Sequence, residues 1–229
     1  RDVALDVTQL LAFLQATQPK AVEMLELAAD GIKRTQFLHR LQGEITKRGV
    51  VDVLRKGVSH GPVHVDLYKL LPTPGNAAAS EAFAKNIFSV TRQVHYSESD
   101  TFKSVDMVLF VNGLAISTLE LKNPWTGQNV HNAIKQYRTD RDPREPLFEF
   151  GRCLVHFAVD PDEAYMCAQL AGNDSNFLPF NKGFNFGKGN PVNPKGHKTA
   201  YLWDDILPRR SLTNIIEQFA KFTVEKDKK

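Results

Sequence analysis

The sequence predicts an α/β protein, and three observations carry that expectation. Residues 104–123 read SVDMVLFVNGLAISTLELKN: two β-rich apolar runs around Asn112-Gly113, a strong short-range hairpin signal. Segments 35–49 and 130–140 place apolar side chains at helical spacing on either side of that ribbon. Further apolar runs at 87–96, 152–159 and 164–170 supply more strands.

The 229 residues are enough to bury a substantial core, and 42% hydrophobic with 24% charged residues is ordinary for a globular protein. The formal charge of +3 and a pI near 8.8 are compatible with a polyanionic partner without requiring one. Two cysteines, Cys153 and Cys167, make no disulfide framework and favour a reduced, cytoplasmic setting. No run of about 18 apolar residues predicts a membrane span, and the N-terminus lacks a secretory apolar region. The chain begins with Arg1, which reads as a fragment.

In order, residues 6–17 predict a helix, with Val7, Leu10, Leu11 and Leu14 at helical spacing and Asp6 as cap. Pro19 opens a second helix over 19–29, with Gly31 at its end. These two helices read as a small N-terminal lobe. A third helix runs from near Thr35 to Gly49, with Phe37, Leu41, Glu44 and Arg48 on one stripe. Glu44 thus lies on or beside the core-facing side, where an ion pair and a role in a site fit equally. Residues 50–75 read as strand fragments and loops. Gly61-Pro62 argues against a helix that would bring His60 and His64 together as a metal pair.

Residues 76–85 are Ala-rich and helical, and 87–96 form a strand with Phe88, Val90, Val94 and Tyr96 on one face. A polar linker, 97–103, leads into the hairpin, whose segment 107–111 is apolar throughout and so is expected to be covered on both faces. Asn123-Pro124 breaks the second strand. The helix over 130–140 turns Val130, Ala133, Ile134 and Tyr137 inward. Its outer and C-terminal part carries Lys135, Arg138 and Arg141, as a solvated face or as phosphate contacts. A hairpin around Asp160-Pro161-Asp162 follows. Residues 172–200, rich in Gly, Asn, Pro and Phe and bearing Lys182, Lys188, Lys195 and Lys198, read as a long loop for nucleic acid or for a protein partner. No phosphate-binding G-x-x-x-x-G-K-[ST] loop occurs, so the chain carries no ATP motor motif. A last helix covers 211–222 with Ser211 as cap, and the charged tail 225–229 is expected to fray.

The functional clue is charge set into apolar strands. Asp106, Glu120 and Lys122 are costly to bury unless paired or bound to a metal. Residues i and i+2 share a face, so Glu120 and Lys122 point the same way. Asp106 joins them only on one condition. A regular two-residue turn at Asn112-Gly113 opposes Asp106 to Leu119 and sends it to the other face. A three-residue loop over 111–113, with Gly113 left-handed, opposes Asp106 to Thr118 and leaves the Asp106 and Glu120 Cα atoms on a diagonal roughly 7 Å apart. That loop, or an equivalent bulge elsewhere in the ribbon, is therefore expected.

Asp106 and Glu120 are hard oxygen ligands suited to Mg²⁺ or Mn²⁺, and the Leu121 carbonyl can complete the shell. A divalent ion neutralises a scissile phosphate and makes a nucleophile of water. Lys122 would reach the same water or phosphate oxygen, as orienting group or base. Structural salt bridges are the competing reading.

At these residues the chain resembles the PD-(D/E)xK nucleases, and within them the N-terminal part of the restriction (R, HsdR-type) subunit of type I restriction-modification enzymes. The likeness runs over the whole chain: ATQPK at 16–20, RLQGEITKRG at 40–49, FSVTRQV at 88–94, VDMVLFVNG, LELKNP, and QYRTDRDPREPLF at 136–148. It implies a restriction-endonuclease-like core with a mixed central sheet flanked by helices, spanning 34–171, after the lobe at 1–33 and before a basic loop and helix at 172–229. It also implies Mg²⁺-dependent cleavage of double-stranded DNA, with ATP used only by motor domains absent from this chain. The implied partners are methylation and specificity subunits. By position, Asp106 and Glu120 match the metal-binding acids, Lys122 the catalytic lysine, and Glu44 an acid on the first core helix. The family's Gln-x-x-x-Tyr motif is altered: Tyr137 fits, Ala133 stands at the glutamine position, and Gln136 can substitute. A non-catalytic docking module and a repair nuclease of the same superfamily are the alternatives.

Overall fold

Six strands build one sheet, and the apolar runs at its centre are covered on both faces while its edges stay exposed. The computed structural model describes residues 4–221. Its helices and strands are α1 (Val7–Thr17), α2 (Pro19–Met24), α3 (Ile32–Arg48), α4 (Val50–Lys56), β1 (Val58–His60), β2 (Val63–Val65), α5 (Ala77–Ala84), β3 (Phe88–His95), β4 (Ser104–Val111), β5 (Leu114–Leu121), α6 (Val130–Thr139), β6 (Val155–Val159), β7 (Ala164–Cys167), β8 (Leu178–Pro179) and α7 (Arg209–Asn214). Strands β3 to β8 lie in sequence order, all antiparallel except the parallel pair β5–β6. Strands β1 and β2 form a separate hairpin.

Each face of the sheet has its own core. On one, Leu10, Phe13 and Leu14 of α1 and Phe37, Leu41 and Leu54 of α3 and α4 pack with Leu109, Val111, Leu114 and Leu119. On the other, Val130, Ala133, Ile134 and Tyr137 of α6 pack with Val108, Phe110, Ala115 and Ala158. This is the mixed, helix-flanked sheet expected from the sequence. Residues of the N-terminal lobe thus share a core with the hairpin, and Leu5 pairs with Leu114 as an isolated bridge. Cys153 and Cys167 are both free and buried. Among the described residues no helix is long and apolar enough to cross a membrane.

Local chemistry sets the helix ends. Asp6 caps α1 by accepting the Gln9 N–H at 3.1 Å, and Pro19 occupies the first turn of α2. Asn129 and Asn132 close a capping box on α6. Several boundaries differ from expectation. Residues 50–56 are a helix, not strand and loop: Val50, Val51, Val53 and Leu54 are all buried, and burial overrides the strand preference of valine. Helix α2 stops at Met24, and Gly31, expected to end it, stands instead at the cap of α3. Ser211 lies inside α7, which Pro208 precedes, and the chain then widens into a π-turn over Ile215–Phe219. Phe222 and the tail 225–229 fall outside the described residues.

The hairpin corrects one expectation and meets the other. Its turn is the two-residue kind, with Val111 opposite Leu114 and both Asn112 (φ 51°) and Gly113 (φ 82°) left-handed. The bulge lies farther along: Phe110 faces Ala115, but Leu109 faces Ser117, leaving Ile116 as the extra residue. Asn112 explains why the turn stays tight. Its buried side chain accepts the Ile87 N–H at 2.7 Å and donates to Leu67 O and Asn86 Oδ1. Gly113 lies under α1, where a Cβ would meet Asp6 O at 2.3 Å and Leu10 N at 2.7 Å. Gly113→Ala is expected to cost about 2–4 kcal/mol, through left-handed strain and backbone collision together. A urea midpoint equal to that of the parent would contradict this.

Behind β5, Thr118 Oγ1 bridges the Tyr137 hydroxyl and His156 Nδ1, each at 2.8 Å. Burial pushes the His156 pKa down to about 3, below that of an unfolded histidine. The unfolded chain therefore takes up a proton that the folded chain refuses, so this contribution is present above pH 6.5 and lost as pH falls toward 3. Stability should drop by about 1.4 kcal/mol per pH unit below 6.5 from this group. His156→Gln should remove that slope, measured as the difference between the two urea series.

Candidate active site

The bulge at Ile116 reverses the alternation of β5. Ala115 precedes it on the α6 side; past it, Thr118 and Glu120 face that side. The β4–β5 register ends with Met107 opposite Leu119, and Asp106, next along β4, lies near enough for its charge to act on Glu120. Asp106 Oδ2 accepts the Leu121 N–H at 2.8 Å, and Oδ1 accepts Gln93 Nε2 at 3.1 Å. Lys122 turns to α6, where its Nζ donates to Gln136 Oε1 at 2.5 Å. The hairpin thus gathers Asp106, Glu120 and Lys122 at the end of the parallel β5–β6 pair, with Gln136 beside the lysine. An open groove of about 740 Å³ adjoins Asp106 and Leu121, lined by neighbouring residues of the paired strands β3 and β4.

Glu120 is fully buried. Its Oε1 receives Nε and Nη2 of Arg141, both at 2.7 Å, while Oε2 is buried without a hydrogen-bond partner among the described residues. Burial pushes the Glu120 pKa up to about 7; Arg141 opposes that shift, and the negative charge of Asp106 adds to it. Burial outweighs the ion pair here, as expected when a carboxylate leaves water entirely.

Arg141 is a correction. The sequence put it on an outer basic surface, but the structure buries it beside Glu120, where it also donates to the Tyr96 hydroxyl at 3.2 Å and Ser104 O at 2.8 Å. Its guanidinium lies 5.5 Å from the Tyr96 ring centre. A buried glutamate needs a nearby cation, and that demand was the available signal. Arg138 is exposed, yet its guanidinium donates to Ser175 O at 2.9 and 3.2 Å; Lys135 is exposed on the outer face of α6. Tyr137 is fully buried, its hydroxyl on Thr118, away from the groove.

Glu44 is not brought to this cluster. It pairs along α3 with Arg40 at 3.0 Å and Arg48 at 2.8 Å. Among the described residues no three His, Cys, Asp or Glu side chains converge as a metal cage. The donor set at the hairpin is two carboxylates with one orphaned oxygen. That suits a hydrated Mg²⁺, which takes one or two carboxylates and keeps several waters. Gln93 was missed: left-handed at φ 50°, it donates its amide to Asp106 and accepts the Ser104 hydroxyl at 3.0 Å. In the 172–200 region, Lys182 pairs with Asp205 at 2.9 Å and Lys198 with Asp162 at 2.8 Å, whereas Lys188 and Lys195 are exposed.

A mixed sheet flanked by helices, with paired acids and a lysine on its central hairpin, defines a restriction-endonuclease-like α/β core. The chain belongs to the family of type I restriction enzyme R protein N-termini, whose model matches residues 14–175. It is also similar to the "Putative type I restriction enzyme MjaIXP endonuclease subunit" of Methanocaldococcus jannaschii, with 31% identity over 78 residues. That match covers 33% of this chain and 8% of that protein. No solved structure matches the chain.

Proposed function

We propose that this chain is the Mg²⁺-dependent endonuclease part of a type I restriction enzyme. It hydrolyses phosphodiester bonds of double-stranded DNA delivered by ATP-driven motor domains outside this chain, and it works with methylation and specificity subunits. The observation that carries the reading is the bulge at Ile116, which shifts the β4–β5 register so that Met107 faces Leu119 and the Asp106 carboxylate meets the Leu121 N–H, between Glu120 and Lys122. Family membership and the endonuclease named in the relative's description support it.

Asp106, Glu120 and the Leu121 carbonyl would hold the ion, with Mn²⁺ as a substitute. When bound, the ion supplies charge neutralisation at the phosphate and lowers the pKa of a coordinated water. The residues do the positioning. Asp106 is steered by the Leu121 N–H and Gln93, and Glu120 by Arg141. Gln136 holds the Lys122 ammonium, which donates to the attacking water or to a phosphate oxygen. Lys135, on the outer face of α6, is free to meet the DNA backbone.

The test is Mg²⁺-dependent cleavage of DNA by the assembled restriction enzyme, comparing the parent with Lys122→Ala and Asp106→Asn. Unchanged cleavage in both variants would overturn the site.

A further inference from the structure

Both tryptophans of the chain stand on one cleft beside the candidate active site. Trp125 is 94% exposed and Trp203 41% exposed, unusual for the largest apolar side chain. The cleft measures about 430 Å³, within the roughly 300–1,000 Å³ range of small-molecule sites. Lys122 lines the same cleft, so it is continuous with the hairpin residues described above.

The backbone that carries each indole is anchored. Asn123 Oδ1 accepts the backbone N–H of Trp125 at 3.0 Å, which fixes the one-turn 3₁₀ helix Pro124–Thr126 directly after Lys122. Trp203 belongs to the π-turn Leu202–Ile206, anchored by fully buried Leu202 and by Tyr201, whose hydroxyl donates to Phe180 O at 2.6 Å. The cleft's lining sets one lysine, Lys122, against one aspartate, Asp160, whose carboxylate is turned to the N–H groups of Val130, Asp162 and Glu163, each at 2.8 Å. Lys122 and the exposed His197 are the cleft's nitrogen donors for a phosphate.

Flat rings next to a phosphate-seeking lysine are the equipment for binding an unstacked nucleotide, because every base offers a π-face to an indole. We propose that this cleft takes a nucleobase of a single DNA strand at the nuclease site, stacked on Trp125 and Trp203, with the adjoining phosphate drawn to Lys122 and His197. The proposal rests on the nuclease reading of Lys122.

Because no other tryptophan is present, emission excited selectively in tryptophan, beyond the tyrosine absorption band, reports on the cleft alone. The full chain is titrated in EDTA with a short oligothymidylate, an abasic strand of equal length, and a blunt duplex. Oligothymidylate should quench the emission, and the other two should do so far less. Binding of labelled oligothymidylate, followed by anisotropy, should weaken roughly ten- to hundredfold in Trp125→Ala and in Trp203→Ala. Equal quenching by the abasic strand, or undiminished affinity in both variants, overturns the proposal. Asp106→Asn separates it from the function on which it rests. If cleavage depends on Asp106 but oligothymidylate does not quench, the cleft assignment falls alone. If quenching holds while cleavage ignores Asp106, the nuclease reading falls and the cleft remains a strand-binding site.

Discussion

Lys122→Ala and Asp106→Asn are each expected to lower Mg²⁺-dependent DNA cleavage by at least about a hundredfold. The two losses have different origins. Alanine at 122 removes the ammonium that Gln136 holds toward the site, so charge on the phosphate and the attacking water goes unmatched. Asparagine at 106 keeps the shape and leaves an oxygen to accept the Leu121 N–H, while removing the negative charge a divalent ion requires. Neither change empties the core, so thermal stability should stay near that of the parent. A parallel fall in stability would mean that the charges serve the fold. Full cleavage in one variant would remove that residue from the site.

The other large effect is on stability and depends on pH. Arg141→Ala should destabilise the metal-free protein by about 3–5 kcal/mol above neutral pH, the usual cost of stranding a buried charge. The sign follows from Glu120. Its folded pKa, near 7, lies above its unfolded value, so the folded chain holds its proton more tightly. Stability from that proton is complete below about pH 4.5 and is lost as pH rises through 7. Without Arg141 the folded pKa climbs further, so the gap between variant and parent should widen from pH 5 to pH 8.5. Lost hydrogen bonds to Tyr96 and Ser104 add a part that does not vary with pH. Urea unfolding in EDTA at the two pH values measures the gap. Adding Glu120→Gln to Arg141→Ala should remove its pH dependence. A gap independent of pH would show that Arg141 serves mainly through Tyr96 and Ser104.

Much of this protein was legible in the sequence because the signals are local. The Asn-Gly turn, the Asp6 and Pro19 helix starts, and the inward face of α6 each depend on neighbours a few residues away. So did the shared face of Glu120 and Lys122, which follows from strand geometry alone. Strand β3, by contrast, departs from its expected single apolar face: Phe88 packs with one core, Val94 with the other, and Val90 is exposed. The requirement for a bulge could likewise be stated in advance, because an even turn would have divided the charges between the two faces.

Tertiary structure alone decided where that bulge fell and which groups attend the acids. Asn112 is held by Ile87, Leu67 and Asn86, residues distant in the chain, and this keeps the turn at two residues and moves the extra residue to Ile116. Arg141 left the surface because fully buried Glu120 needed a cation, and Glu44 stayed away because Arg40 and Arg48 engage it on its own helix. The valines of α4 became helical because their buried face mattered more than their strand preference. Sequence by itself determined that an acid, an acid and a lysine would share a hairpin. Only packing and charge compensation across the sheet, which couple residues far apart in the chain, decided how those three meet and what surrounds them.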